Sequence, residues 1–187
     1  MKDKIIELLA STERKGIGDL ILHMEGIGFF NAPCSSQYHL CKIGGLAEHS
    51  LNVYEFAIKF CYILTTDATW LKDHSWIIAS LLHDLGKASY HGKANYIPNI
   101  LVSGKVSDKK PFETNKDLPP FDHAYKSCMI ASKFIELTED EEFAIRYHDG
   151  LYVPSGRDIQ GKERPLQQLL HFSDMWCSRF IEKGDAE

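Results

Sequence analysis

The stretch LLHDLGK, residues 81–87, combines the end of an apolar run with an adjacent histidine and aspartate, and it indicates both the fold and the chemistry of this chain. It overlaps the apolar run WIIASLL, residues 76–82, which predicts a buried helix. His83 and Asp84 follow this run directly, and a glycine and a lysine come after them. Burying an imidazole and a carboxylate is costly unless a partner neutralises them. The stretch therefore predicts that His83 and Asp84 bind something inside the fold.

The composition around this stretch is that of an ordinary globular domain. The chain has 187 residues, 44% hydrophobic and 25% charged, which suits one domain with a sizeable core. No apolar run reaches transmembrane length, and the N-terminus MKDKIIELLAS lacks the apolar segment of a signal peptide, so we expect a cytoplasmic protein. The net charge of −5 gives nucleic acid no general attraction. Five cysteines without a CxxC pair indicate reduced thiols rather than a disulfide frame or a thiolate zinc site.

The hydrophobic periodicity predicts an all-α fold. An N-terminal unit within residues 1–28 contains two short helices, 2–11 and 17–26. A long helix over 46–64 carries His49 on its apolar seam. The next helix begins near Asp73 and ends near Leu85, with Gly86 as its C-cap. The later helices are predicted at 122–136, at 138–148, which opens with capping-box spacing, and at 163–183, whose seam is Leu170, Asp174, Cys177 and Ile181.

One segment, residues 90–120, departs from the helical pattern. It contains four prolines and the turn pair Ser103-Gly104 among mixed charges. Because it is too long for a plain connection, we interpret it as an insertion that acts as a lid or substrate loop. A small β-hairpin over 96–112 is one form that it could take.

Three separate predicted helices carry ionisable residues on inward-facing positions: His49, then His83 and Asp84, then Asp174. Each has an ordinary explanation by itself, as a hydrogen-bonded core histidine or an aspartate paired with an arginine. Together, two imidazoles and two carboxylates in a bundle core are a suitable ligand set for one divalent cation, whose charge offsets the burial of the carboxylates. Adjacent residues diverge by about 100° on a helix, so His83 and Asp84 can share an ion only near a helix end.

The order H…HD…D resembles the signature of the HD-domain metal-dependent phosphohydrolase superfamily. GGLAEHSLNVYEFA (44–57), LLHDLGK and LLHFSDMWCSRF (169–180) are similar to the three ligand-bearing segments of that family. FFNAPCSSQYHLCKIGGLAEHS (29–50) resembles a bacterial and phage subgroup of predicted HD hydrolases. The likeness extends over residues 29–180 and implies a single HD domain, a helical bundle.

The resemblance also implies a ligand set. Its metal ligands fall on His49, His83, Asp84 and Asp174, and the histidines of a second ion fall on His123 and His148, with Asp84 bridging. Iron, manganese, zinc, nickel, cobalt and magnesium all suit this set. We expect one divalent ion and leave a second open, because His148 is followed by an aspartate where some two-ion subgroups have a second histidine. The role of Asp149, as ligand, hydrogen-bond partner or solvent-facing residue, is also open. The GYP extension of cyclic-dinucleotide phosphodiesterases is missing, which argues against that substrate class.

The function implied is hydrolysis of a phosphate ester by a metal-activated water, with Asp84 and Lys87 in catalysis. We expect a phosphorylated, nucleotide-like small molecule as substrate rather than nucleic acid, and the alternative is a metal-containing module that binds or senses a nucleotide without turnover. Lys87 either holds a phosphate oxygen or is a solvated cation at the helix end. The sequence gives no signal for the oligomeric state.

Some further residues have open roles. His39 either borders the pocket or is exposed, and His171 either hydrogen-bonds into the site or packs beside it. Glu48 is either an acid or base near the site or a surface residue. The cluster of Lys105, Lys109 and Lys110 is either solvated loop charge or an electrostatic entry for an anion.

Overall fold

The computed structural model describes residues 1–64 and 74–182. Over these residues the chain is mainly helical, with two small antiparallel β-hairpins between the fourth and fifth α-helices. This agrees with the predicted all-α fold with a small β insertion. Side chains from the N-terminal helices to the last one share a single hydrophobic cluster, which includes Phe29, Leu46, Ile145 and Leu170. No helix among the described residues is long and apolar enough to cross a membrane.

The first two helices, α1 (Lys2–Ala10) and α2 (Ile17–Gly26), lie where the sequence predicts them. Their apolar stripes bury Ile5, Leu9, Leu20 and Met24 completely. α1 contacts α2, α3 and α4, so the pair closes one side of the bundle.

The centre of the bundle is formed by α3 (Gly45–Leu64) and α4 (Ser75–Leu82). α4 is buried along almost its whole length, and it packs against α1, α3, α6 and α7. A helix that is apolar on all sides belongs in the core, which explains why WIIASLL has no polar face. The predicted start at Asp73 lies outside the described residues. α4 ends at Leu82, and His83 begins a tight stretch that leads into a 3₁₀ turn, Leu85–Lys87.

Gly86 is not the C-cap that the sequence predicts. It lies inside the 3₁₀ turn and does not have the positive φ of a left-handed cap. Its N–H donates to Ser127 Oγ at 2.8 Å. A Cβ at this position would meet the His123 carbonyl oxygen and would lie 2.6 Å from Lys126 Cβ. The glycine is therefore needed for close approach to the next helix.

The second half of the bundle contains α5 (His123–Ala131), α6 (Glu139–Arg146) and α7 (Pro165–Trp176). The predicted capping box of α6 is confirmed: Thr138 Oγ1 accepts from the Glu141 N–H, and the Glu141 carboxylate accepts from the Thr138 N–H. α5 ends earlier than predicted. α7 continues as a π-helical turn, Cys177–Ile181, and the predicted end at 183 lies outside the described residues. The predicted seam is wrong at Ile181, whose side chain is half exposed.

The segment between α4 and α5 contains both hairpins. β3 (Tyr96–Pro98) pairs with β4 (Phe112–Thr114), close to the predicted hairpin. A shorter hairpin of β1 (Ser89–Tyr90) and β2 (Lys93–Ala94) was not expected. Its two-residue turn has φ of 50° at His91 and 75° at Gly92, the positive values that a type I′ turn needs.

Gly86→Ala is expected to lower the free energy of unfolding by about 1–3 kcal/mol, because the added methyl group overpacks the contact with α5. Gly18→Ala is the matched control, since nothing lies within 4 Å of a Cβ there and alanine favours the helix. Urea denaturation of both variants measures the difference. Equal midpoints for the two variants would contradict the close-packing role of Gly86.

Candidate metal centre

Side chains from the ends and middles of five helical segments meet inside the bundle. His49 lies in the second turn of α3, and His83 and Asp84 follow α4. His123 is the first residue of α5, and His148 follows α6. Asp174 lies near the end of α7. The six residues that the sequence singles out as metal ligands are therefore brought together, and two groups form among them.

The first half-site consists of His49, His83, Asp174 and one oxygen of Asp84. His49 Nε2 lies 3.3 Å from His83 Nε2, 3.1 Å from Asp174 Oδ1 and 3.6 Å from Asp84 Oδ2. His83 Nε2 lies 3.5 Å from the same Asp84 oxygen. The two histidines and Asp84 are completely buried. The ligand atoms of His49, His83 and Asp174 are close enough to one another to hold one ion.

The second half-site consists of His123, His148, Asp149 and the other oxygen of Asp84. His123 Nε2 lies 3.2 Å from His148 Nε2, and the two atoms lie 3.2 and 3.6 Å from Asp84 Oδ1. Asp149 Oδ2 lies 3.4 Å from His123 Nε2. Asp149, whose role the sequence left open, thus faces the ring nitrogens rather than bulk solvent alone.

The carboxylate of Asp84 joins the two half-sites. Its Oδ2 faces the first and its Oδ1 faces the second. Within the described part of the chain, Oδ1 is buried and accepts no hydrogen bond, although two imidazole nitrogens are near it. Buried oxygens without a donor are rare, so this one needs an explanation. A cation held between Oδ1 and the two imidazoles satisfies all three groups, and the residues present therefore fit a pair of divalent ions.

Hydrogen bonds on the outer side of the rings determine which nitrogen faces inward. His83 Nδ1 donates to the Ser80 carbonyl at 2.8 Å, and His148 Nδ1 donates to the Ile145 carbonyl at 2.7 Å. Both acceptors belong to the last turns of α4 and α6, where carbonyls lack helical partners. His49 Nδ1 faces the Glu182 carboxylate at 2.8 Å. Each contact holds a proton on Nδ1 and leaves the Nε2 lone pair for a metal.

The charges of the site favour protons on two of the histidines when no ion is present. Burial lowers the pKa of His148, but the Asp84 and Asp149 carboxylates outweigh it and raise the pKa to about 9. Burial likewise opposes the charge on His49, yet Cys34 and the carboxylates of Asp174 and Glu182 raise its pKa well above the usual range. Without an ion, the positive charges of His49 and His148 therefore balance part of the negative charge of the carboxylates.

The remaining members of the site differ in charge. Burial raises the pKa of Asp84, but the Lys87 ammonium and His83 hold it well below its usual range. The pKa of Asp174 is lowered by His49 against the effect of burial. Burial and the Lys87 charge lower the pKa of His123 to about 4. At neutral pH Asp84 and Asp174 are anionic and His123 is neutral.

Lys87 belongs to this centre. Its Nζ lies 2.7 Å from Asp84 Oδ2, and its side chain is 16% exposed. Burial opposes the charge, but the Asp84 carboxylate raises the pKa of Lys87 well above its usual value. The ammonium is therefore held against Asp84, one of the candidate metal ligands, and is not a solvated cation at a helix end.

Glu182 is the member of the site that the sequence did not suggest. Its carboxylate accepts from Nδ1 of His39 at 2.7 Å, from Nδ1 of His49, and from Asn52 Nδ2 at 3.0 Å. These bonds outweigh burial and lower the pKa of Glu182 to about 2. The π turn brings Glu182 to this position, with its N–H bonded to the Cys177 carbonyl. Because a π turn has no clear sequence signal, regular helical spacing could not predict it.

The other residues with open roles lie around the centre or away from it. His39 contacts the site through Glu182, with its Nε2 3.9 Å from Cys34 Sγ. His171 Nδ1 donates to the His148 carbonyl at 2.7 Å, so it supports the backbone of a candidate ligand. Glu48 forms a surface ion pair with Lys42. Neither Arg146 nor Arg179 forms an ion pair with Asp174: Arg146 bonds Asp122, and Arg179 lies over the Tyr152 ring.

A cleft of about 720 Å³ opens beside the centre. Lys87 and His123 line it together with residues of the 90–120 segment, among them Tyr96 and Lys110, and with Phe121, Asp122 and Lys126. A smaller opening of about 200 Å³ is lined by Asp149 and Asp174. Comparison of the chain with family models, curated proteins and solved structures finds no significant match.

Binding of a divalent ion at pH 7 is expected to release protons from His49 and His148, because the ion needs their lone pairs. The pKa of His148 is raised to about 9, and the pKa of His49 is raised well above its usual range by Cys34 and the carboxylates of Asp174 and Glu182. Ion binding releases the proton of His148 when the pH is below its pKa of about 9. Above that pH the ring is already neutral, so this release is lost. Calorimetric titration of metal-free protein with Mn²⁺ in two buffers of different ionisation enthalpy measures the release.

His148→Ala should release about one proton fewer per chain. His91→Ala, which changes an exposed loop histidine, should behave as the unchanged protein. Identical enthalpies in both buffers would show that the ring nitrogens are not protonated as described.

Proposed function

We propose that this protein is a metal-dependent phosphohydrolase of the HD type that cleaves a phosphate ester of a nucleotide-like small molecule. The observation that supports it most is the buried Asp84 carboxylate, with one oxygen directed at His49 and His83 and the other at His123 and His148. A cluster of histidines and aspartates with this order along the chain is compatible with an HD-type site.

The ions held by the two half-sites would lower the pKa of a bound water and neutralise phosphate oxygens. The protein's own task is to bind and orient the phosphate. Lys87 is placed for this, because it lines the cleft and its Nζ lies 2.7 Å from Asp84 Oδ2. An ammonium has three donors, so Lys87 can keep its bond to Asp84 and donate to a phosphate oxygen at the same time. Phosphoryl transfer needs mainly such positioning and charge neutralisation.

The shape of the cleft favours a small molecule. Its volume of about 720 Å³ lies in the range of ligand pockets, roughly 300–1,000 Å³. Tyr96 and Phe121 offer apolar surface, while Lys87 and Lys110 offer positive charge. A phosphate joined to an aromatic or sugar body meets both kinds of surface. The net charge of −5 gives no support for a polyanionic nucleic acid.

The test is phosphate release by purified protein loaded separately with Mn²⁺, Fe²⁺, Zn²⁺, Ni²⁺, Co²⁺ or Mg²⁺. p-Nitrophenyl phosphate and bis(p-nitrophenyl) phosphate separate monoesterase from diesterase activity, and a nucleotide panel follows. We expect activity with at least one ion, lost on chelation and restored by adding the ion back. Lys87→Met should lower kcat about 100-fold or more while the metal content is unchanged, because one charge-stabilising donor is removed.

Lys59→Met is the matched control, since Lys59 is an exposed lysine of α3 outside the cleft. It should keep full activity. Metal-loaded protein that binds a nucleotide tightly but releases no phosphate after long incubation would contradict hydrolysis and favour a sensing role. Equal activity of Lys87→Met and Lys59→Met would contradict the role of Lys87.

A further inference from the structure

A second lysine lies in the same cleft and is not explained by the metal centre. Lys126, in α5, is only 4% exposed and yet lines the cleft beside Lys87 and His123. Its Nζ donates to Asn95 Oδ1 at 3.1 Å and lies 5.8 Å from the centre of the Tyr90 ring. The two groups that contact the ammonium are thus neutral.

No carboxylate among the described residues forms an ion pair with Lys126. The carboxylate of Asp122, one turn earlier, accepts from the Tyr125 N–H and forms two 3.0 Å bonds to Arg146. Burial lowers the pKa of Lys126, and Asp122 restores it only in part. A buried ammonium without an anion is costly, and an amide oxygen and a ring face compensate only partly. Lys126 therefore has donors and charge to offer a ligand.

The backbone holds Lys126 close to the reacting centre. Residues three apart lie on one face of a helix, so Lys126 follows His123 of the second half-site at about 4.5 Å of rise. The 3₁₀ turn that carries Lys87 packs against the same residues, because Gly86 lies against the His123 backbone and Lys126 Cβ. Lys87, His123 and Lys126 therefore come from two segments that pack against each other, and all three line the cleft.

We propose that Lys126 forms a second anion subsite, which binds a phosphate group that is not cleaved. This rests on the proposed function, and it narrows the substrate to a nucleotide with two phosphate groups. The phosphate at the metal centre would be hydrolysed, while the other is bound by Lys126. Lys110, the only member of the predicted basic cluster among the cleft-lining residues that the structure describes, adds positive charge there.

The experiment compares unchanged protein, Lys126→Met and the control Lys133→Met, which alters an exposed lysine just beyond α5. The probes are p-nitrophenyl phosphate, AMP, ADP and adenosine 3′,5′-bisphosphate. The two-phosphate probes distinguish a linked diphosphate from separate phosphates. Affinity is measured by calorimetry and turnover by phosphate release.

We expect ADP or adenosine 3′,5′-bisphosphate to bind the unchanged protein at least tenfold more tightly than AMP. Lys126→Met should remove this preference, and KM for the two-phosphate substrate should rise about tenfold while kcat/KM for p-nitrophenyl phosphate is unchanged. Lys133→Met should change neither. Methionine has nearly the shape of the lysine stem, so a stable fold is expected, and thermal melting checks it.

The two proposals fail in different ways. If the unchanged protein cleaves p-nitrophenyl phosphate but binds all four probes alike, or Lys126→Met weakens all of them equally, the second subsite is wrong and the phosphohydrolase proposal survives. If no probe is cleaved but Lys126 still confers the preference for two phosphates in calorimetry, the subsite holds and hydrolysis is wrong.

Discussion

The interaction on which this structure depends is the sharing of one buried carboxylate, that of Asp84, between two groups of imidazoles. A carboxylate at the centre of a helical bundle is stable only if positive charge surrounds it. Lys87 supplies one charge at 2.7 Å, and the remaining space between the rings suits cations. The apolar helix α4 brings Asp84 to the core, and the glycine of the following turn lets α5 approach with His123. Core packing and site geometry are thus set by the same residues.

The same local arrangement, a His-Asp pair after the end of a helix, occurs twice in the site. A His-Asp pair follows the end of α4 and another follows the end of α6. In both pairs the histidine Nδ1 donates to a carbonyl of the preceding helical turn, at 2.8 Å for His83 and 2.7 Å for His148. The helix ends thereby satisfy their own carbonyls and orient two ligand nitrogens without further residues. Asp149 is the aspartate of the second pair. Its role was left open by the sequence, and in the structure its carboxylate faces His123.

Local signals explain what could be predicted, and tertiary contacts explain what could not. Periodicity placed the helices, and the Thr138–Glu141 capping box and the hairpin near 96–112 follow from residue type. The six suggested ligand residues meet in the structure, although binding of an ion stays a prediction. Gly86 was misassigned because its role depends on α5, which is distant in sequence. Glu182 and Lys126 had no signal, since a π turn and a buried amine are visible only in three dimensions.

The most direct measurement is the position of bound ions in a crystal of the Mn²⁺-loaded protein, located by anomalous diffraction. The account predicts two peaks about 3.5–4 Å apart, one on each side of the Asp84 carboxylate. One peak should lie among His49, His83 and Asp174, and the other beside His123, His148 and Asp149. A single peak away from Asp84, for example between Cys34 and His39, would contradict the bridging carboxylate and the centre built around it.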